Sequence, residues 1–301
     1  MKELARYKKV VLWGGKGNLD SIRHIYSAFD RTLRKLGVPV EWVADDPANR
    51  HVIHPDSLVF AVNVAAAHIG PWVGGSDVVT HNFDPATELG QTVPDNHHLR
   101  LQVYTSDAEN YAHEKWDECR LYHPPHTLFQ PWGSDILAEE TWDPVFNSGA
   151  EECCFVGAIW DDNGLGNAAL IPRVEAALAR RRLRFVHYTQ ISDAAMLEAM
   201  RRSRIAPAFA GEWQVAHNYL PCRVFKAVAA GQLAVTNVPK FRDLFGDALP
   251  WGETVEETID IALSLTGKQW AERVRAMQHV TARFTYRESL AAFGRALEAG
   301  R

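Results

Sequence analysis

Two cations three residues apart, Arg223 and Lys226, lie in the segment Tyr219-Leu220-Pro221-Cys222-Arg223-Val224-Phe225-Lys226-Ala227-Val228-Ala229-Ala230-Gly231. Pro221 suits a helix start and Gly231 a helix stop. Residues three apart share a helix face. Both cations then fall in the first two turns, where the macrodipole is positive and like charge is disfavoured by roughly 0.3–1 kcal/mol each. Carboxylates are the usual occupants there. Two cations make sense if an anion rests against them, with the free N–H groups of the first turn as further donors. That chemistry is the binding of a phosphate and the stabilisation of a phosphate leaving group. The opposing reading has both side chains reaching into water or pairing with Glu212 or Asp243, as Arg and Lys generally do.

Other stretches carry weaker signals. Gly14-Gly15-Lys16-Gly17-Asn18 follows an apolar run and opens a helical pattern, so it is either an anion cradle or a tight turn. It satisfies neither GxGxxG nor the GK[ST] ending of a P-loop. In Asp161-Asp162-Asn163-Gly164-Leu165-Gly166-Asn167 the glycines permit close approach of a ligand to the backbone. The acidic pair there lacks a third carboxylate at metal-binding spacing. Asp45-Asp46 reads as a solvated strand end. No HExxH and no GxSxG occurs, and His97, His98, His123 and His126 lack the cysteines or carboxylates of a zinc site. Trp13, Trp132, Trp160, Trp213 and Tyr219 fall near loops at strand ends, where aromatic rings either pack or stack on a ligand.

The elements that must position these residues read as parallel α/β layers, because short apolar runs alternate with helical patterns. Lys9 to Trp13 is a strand, Leu19 to Leu36 a helix stopped by Gly37, and Val38 to Val43 a second strand. Ser57 to Val62, Asp77 to His81 and Leu101 to Thr105 are further strands. From His123 to Gly149 the pattern breaks, with Pro124, Pro125, Pro131 and Pro144, and an interdomain connection is expected. A second series follows. Its strands are Cys153 to Ile159, Arg184 to Tyr188, Ile205 to Ala210 and Leu233 to Thr236. Its helices run from Pro172 to Arg182, from Ser192 to Arg202 and from Pro221 to Ala230, and another opens on the capping box at Thr254.

Length and composition agree with two ordinary domains. The chain has 301 residues, 47% hydrophobic and 23% charged, with a formal net charge of −5. That balance speaks against a nucleic-acid partner. The basic run Arg180 to Arg184 reads as a solvated helix end. No stretch approaches the roughly 20 apolar residues of a membrane span. The four cysteines form no CxxC pair and suit a reducing compartment. A cytoplasmic location is expected, with peripheral membrane contact left open.

The segment Tyr219 to Thr236 resembles the donor-site helix and following strand of GT-B glycosyltransferases, in particular the group-1-like and CgeB-like branch. Pro239-Lys240-Phe241-Arg242-Asp243-Leu244-Phe245 and Phe284-Thr285-Tyr286-Arg287-Glu288-Ser289-Leu290 resemble the pieces that follow in that family. The resemblance covers roughly the C-terminal half. It implies an α/β protein of two Rossmann-like domains facing across a cleft. The expected acceptor-side domain spans 1–146 and the donor-binding domain 147–283, with a helix in 284–301 crossing back to the first.

The resemblance also implies a glycosyltransferase that moves a sugar from a nucleotide-sugar or other phosphate-activated donor to a saccharide or other hydroxyl acceptor, with no metal cofactor. Arg223, Lys226, Asn167, Gly166, Tyr219 and Pro221 are the expected donor-binding residues. Gly14, Gly15, Gly17 and Asn18 form the acceptor-side loop. Asp20, just after that loop, is the expected base, and His217, just before the donor helix, is the second catalytic candidate. The paired glutamates of many relatives are absent, since Lys226 and Ala234 occupy those positions. A phosphoribosyl diphosphate donor and a non-catalytic sugar- or nucleotide-binding module are the competing expectations.

Overall fold

A computed structural model describes residues 2–16, 21–62, 73–81, 93–110, 112–117, 119–124, 126–161 and 163–301. The chain forms two compact units, Met1–Asp135 with Tyr286–Arg301, and Ile136–Thr285. The breaks fall at 135/136 and 285/286, where the sequence pattern puts 146/147 and 283/284. No helix among the described residues is long and apolar enough to cross a membrane.

The first unit is built on an eight-stranded sheet. Its strands are β1 (Lys9–Trp13), β2 (Val40–Val43), β3 (Ser57–Val62), β4 (Asp77–His81), β5 (His98–Gln102), β6 (Glu114–Asp117), β7 (Arg120–His123) and β8 (Thr127–Phe129), in the order β2-β1-β3-β4-β5-β8-β7-β6. From β2 to β8 every neighbouring pair is parallel, and β7 and β6 add antiparallel. A parallel sheet needs apolar cover on both faces. Hence β1 and β4 are buried almost throughout. Helix α1 (Ser21–Lys35) and helix α9 (Tyr286–Ala299) supply part of that cover. Phe29 of α1 meets Tyr286 at 4.3 Å and Phe293 at 5.9 Å between ring centroids. The stretch from His123, expected as a connection, in fact contributes β8. Three residues are too few to show a period, and Pro124 sits in the turn that precedes them.

At the amino end of β4 the buried carboxylate of Asp77 accepts hydrogen bonds from Arg6 (3.1 Å), Tyr7 (2.5 Å) and Arg301 (2.7 Å), and bonds the His97 ring at 2.7 Å. Burial, followed by the Asp77 carboxylate, pushes the Tyr7 phenol well up. The carboxyl end of the same strand is apolar. There His81 is fully buried among Tyr26, Phe60 and Trp132, whose rings lie 5.6, 5.3 and 5.1 Å away.

The second unit follows the expected βα alternation. Its elements are β9 (Glu152–Val156), α2 (Ile171–Arg180), β10 (Arg184–Tyr188), α3 (Asp193–Arg202), β11 (Ala206–Pro207), α4 (Glu212–Ala216), α5 (Cys222–Ala229), β12 (Ala234–Val235), α6 (Pro239–Phe245), α7 (Val255–Ser264) and α8 (Gly267–Thr281). β10 pairs with β9 and β11 with β12, all parallel. Between β9 and β11 the link runs through the Arg204 N–H to the Glu152 carbonyl (2.9 Å) and the Cys154 N–H to the Ser203 hydroxyl (2.7 Å). Ser192, Thr254 and Thr266 cap helices α3, α7 and α8, each accepting from a backbone N–H three residues on. Gly231 ends α5 at φ +76°, and a Cβ there would collide with the Asp143 carbonyl. Only glycine meets both demands. The Pro-rich strap is fixed by the same turn, since Trp142 and Val145 donate to the Ala229 and Gly231 carbonyls, each at 2.9 Å. The basic run 180–184 is ion-paired at the surface, Arg180 and Arg181 with Asp260 and Arg184 with Glu152.

Burial sets the pH response of the first unit. It holds His81 down to about 3 and, as the main cause, His98 down to about 4, against an ordinary value of 6.5. The folded chain therefore declines protons that the unfolded chain accepts. Stability is full above pH 7 and falls below 6.5, by about 1.4 kcal/mol per pH unit for each histidine once the unfolded form is fully protonated. Urea unfolding between pH 7.5 and 5 should show this loss. His81→Phe should remove one histidine's share of the slope, and an unchanged slope would contradict the assignment.

Candidate functional site

In a parallel sheet the loops after each strand gather at the carboxyl end, which is where ligands sit in α/β folds. In the second unit four such loops begin at Gly157, Thr189, Ala208 and Thr236. Arg223 and Lys226 enter from α5, the helix that leads into β12. Neither side chain reaches freely into water: Lys226 is 2% exposed and Arg223 is half-buried. Nor do they take the carboxylates the sequence offers. Asp243 pairs with Lys240 at 3.2 Å, and neither Arg223 nor Lys226 forms an ion pair among the described residues.

Arg223 is held by shape. Its guanidinium lies over the ring of Phe155, 4.7 Å from the centroid, a cation–π contact at the end of β9. Next to Phe155 and Val156 comes Gly157, at φ +133°. A Cβ built on Gly157 would stand 3.0 Å from Arg223 Nη1 and 3.2 Å from Cζ. The guanidinium thus fills the space that any other residue's side chain would claim. Nη1 is buried with no hydrogen-bond partner among the described residues. Burial lowers the pKa of the group, with opposing contributions from Tyr219 and Cys222. A buried guanidinium nitrogen left unpaired is costly.

The backbone around the two cations is rigidly tied. Asn167, 1% exposed, closes the loop after β9: its Oδ1 accepts from the Trp160 N–H (2.9 Å) and its Nδ2 donates to the Ala158 carbonyl (3.1 Å). Its observed role is to shape the loop. A Cβ on Gly166 would overlap the Trp160 carbonyl, and one on Gly211 would meet Leu165 O at 2.5 Å. Gly166 lets the loop after β9 fold tightly on itself, and Gly211 lets the loop after β11 touch it backbone to backbone. Asn237 repeats the device for β12, bonding Ala210 N–H (2.8 Å) and Ala210 O (2.9 Å). Asp161 accepts from the Gly164 N–H at 2.9 Å and turns the chain. Asp162 lies outside the described residues.

The remaining expected residues divide as follows. Pro221 is the N-cap of α5, one position before the helix. Tyr219 is half-buried in the loop before it. His217 follows α4, with Nδ1 bonded to the Trp213 carbonyl at 2.7 Å and its ring stacked on the indole. In the first unit, Gly14 and Gly15 take φ of +96° and +67°. The Gly14 N–H donates to Val43 O (2.9 Å) and Trp42 Nε1 donates to Gly14 O (2.8 Å), so this part of the loop is a pinned turn. Gly17, Asn18 and Asp20 lie outside the described residues. Phe155, Gly157 and Gly211 are absent from the sequence reading. The signal for Gly157 was a glycine inside an apolar strand pattern, a position where another group often approaches the backbone closely; the strand itself ends at Val156, short of the expected Ile159.

No family model and no curated protein matches this sequence. Solved structures do match its fold. A trehalose-6-phosphate synthase, OtsA, aligns over 96% of this chain and 99% of its own, with a TM-score of 0.59 at 9% identity. A mutant of TarM from S. aureus, solved with Fondaparinux, alpha-GlcNAc-glycerol and UDP, aligns over 92% of this chain and 59% of its own, with a TM-score of 0.50 at 9% identity. The fold is that of the GT-B glycosyltransferases. It is an α/β fold, as the sequence pattern implies.

Gly157→Ala tests the shape argument. The positive φ alone should cost about 1–3 kcal/mol in denaturant unfolding. The new methyl should also displace the guanidinium from the Phe155 ring in a crystal structure of the variant. Unchanged stability together with an unmoved guanidinium would show that Arg223 is not held as described.

Proposed function

We propose that this chain is a glycosyltransferase whose second unit holds the phosphate of an activated sugar donor on Arg223 and Lys226. One observation carries the reading: a guanidinium at the carboxyl end of a parallel sheet with a buried nitrogen that finds no partner among the described residues, on the same helix as a buried lysine that forms no ion pair among them. The GT-B fold supports it, as does the presence of UDP in the TarM structure.

The chemistry follows from charge. When the bond between the anomeric carbon and the donor oxygen breaks, negative charge grows on the leaving phosphate. Cations fixed in a low-dielectric site stabilise that charge without having to reorganise. The first-turn N–H groups of α5 and its positive helix end add to the same field. A hydroxyl of a saccharide or another acceptor completes the transfer. Because protein cations neutralise the leaving group, turnover should survive EDTA, and a strict need for added magnesium or manganese would count against this mechanism.

Lys226→Met keeps the stem and removes the charge. Donor affinity, measured by calorimetry, should fall at least about tenfold, a loss of about 1.4 kcal/mol. Turnover should fall with it. Thermal stability should stay level or rise, since a buried unpaired cation is replaced by an apolar chain of similar length. Wild-type affinity in the folded variant would refute the anion site.

A further inference from the structure

We infer that Cys222 is a site of reversible modification, at which a small disulfide bearing carboxylates attaches and closes the anion site. The inference rests on the anion-site reading above and adds a means of control to it. It starts from the unequal treatment the fold gives to four free thiols.

Cys119, Cys153 and Cys154 are buried, whereas Cys222 is half-buried. Burial pushes the Cys153 thiol up to about 12 and the Cys154 thiol in the same direction, so neither readily becomes the reactive thiolate. Cys222 is the first residue of α5, directly after the N-cap Pro221. A half-buried thiol at a helix start is ordinary in itself, but its neighbours are not. Arg223 follows it, with Nη1 buried and unpartnered among the described residues. Burial, the main cause, lowers the pKa of that guanidinium, and Tyr219 and Cys222 oppose the effect, which puts the sulfur within electrostatic reach of the cation. Lys226 stands four residues on. Residues four apart share a helix face, and helical side chains lean toward the N-terminus, so Lys226 leans toward the turn that Cys222 opens. It is 2% exposed and has neither an ion pair nor a side-chain hydrogen bond among the described residues. The thiol therefore stands beside two cations that the chain itself leaves unmatched.

The same charge that suits a phosphate draws an anionic disulfide. The Cys222 thiolate attacks one sulfur of that disulfide, its proton having gone to water. A new S–S bond joins Cys222 to one half, and the original S–S bond breaks. The other half leaves as a thiolate with the bonding pair, so the Cys222 sulfur is oxidised and the departing sulfur is reduced. The attached half brings its carboxylate to Arg223 and Lys226, and a donor phosphate then meets an occupied site. A thiol reductant reverses the exchange and frees it.

Thiol chemistry and calorimetry on the full folded chain test the two parts separately. Dipyridyl disulfide, which is neutral, should label a single thiol, and peptide mapping by mass spectrometry should place the label on Cys222. Dithiobis(nitrobenzoate), which carries carboxylates, should react at least about tenfold faster than the neutral reagent, each rate being divided by that with free cysteine, and Lys226→Met should remove this preference. Once glutathione disulfide has modified Cys222, binding of inorganic diphosphate should be lost, and dithiothreitol should restore it. Cys222→Ser should bind inorganic diphosphate like the wild type, before and after glutathione disulfide. The modification site is wrong if the label falls elsewhere, if the carboxylate reagent gains nothing from Lys226, or if the modified protein still binds inorganic diphosphate; none of these results touches the anion site. If inorganic diphosphate binding to the unmodified protein does not depend on Lys226, the anion site is wrong and control of it through Cys222 falls too, while the labelling still reports on the thiol by itself.

Discussion

Taking a guanidinium out of water costs several kcal/mol unless another charge or a set of hydrogen bonds meets it. In the second unit Arg223 bears that cost beside Phe155, and Lys226 lies buried one turn further along the same helix. The surrounding structure makes this possible. Gly157 vacates the volume of a side chain, α5 is anchored at its C-terminal end by Gly231 and the strap through Trp142 and Val145, and Phe155 offers the face of its ring. The guanidinium is thus held in place by the fold itself. Pre-placed charge is what stabilises a developing anion, because no reorganisation is needed at the moment of reaction.

The loops that frame this site gain rigidity from backbone contact. Where Gly166 and Gly211 lack side chains, backbone groups approach closely, within the loop after β9 and between it and the loop after β11, and Asn167 and Asn237 bond backbone groups of these loops. Buried backbone groups must find partners. Two asparagines with both ends of the amide in use provide them where strand pairing has ended. The first unit uses different chemistry at its own strand ends, with an ion-pair cluster around Asp77 at the amino end of β4 and an apolar aromatic box around His81 at the carboxyl end.

The sequence by itself determined what depends on local pattern. Apolar runs and caps marked most strands and helices, because side-chain period and capping chemistry act within a few residues. Arg223 and Lys226 were legible as a pair because helix geometry fixes which residues share a face. Gly231 was legible as a stop. The tertiary structure decided the rest. Short strands such as Thr127–Phe129 take their identity from the neighbours that pair with them. Phe155 and Gly157 lie more than 60 residues before Arg223, and no local signal says that a ring and a missing side chain will receive its guanidinium. Asn167, read from the sequence as a donor contact, bonds its own loop with both ends of its amide, which only the folded loop reveals. Which polar groups are satisfied within the chain, and which remain for a ligand, is a property of packing, since it depends on groups that only folding brings together.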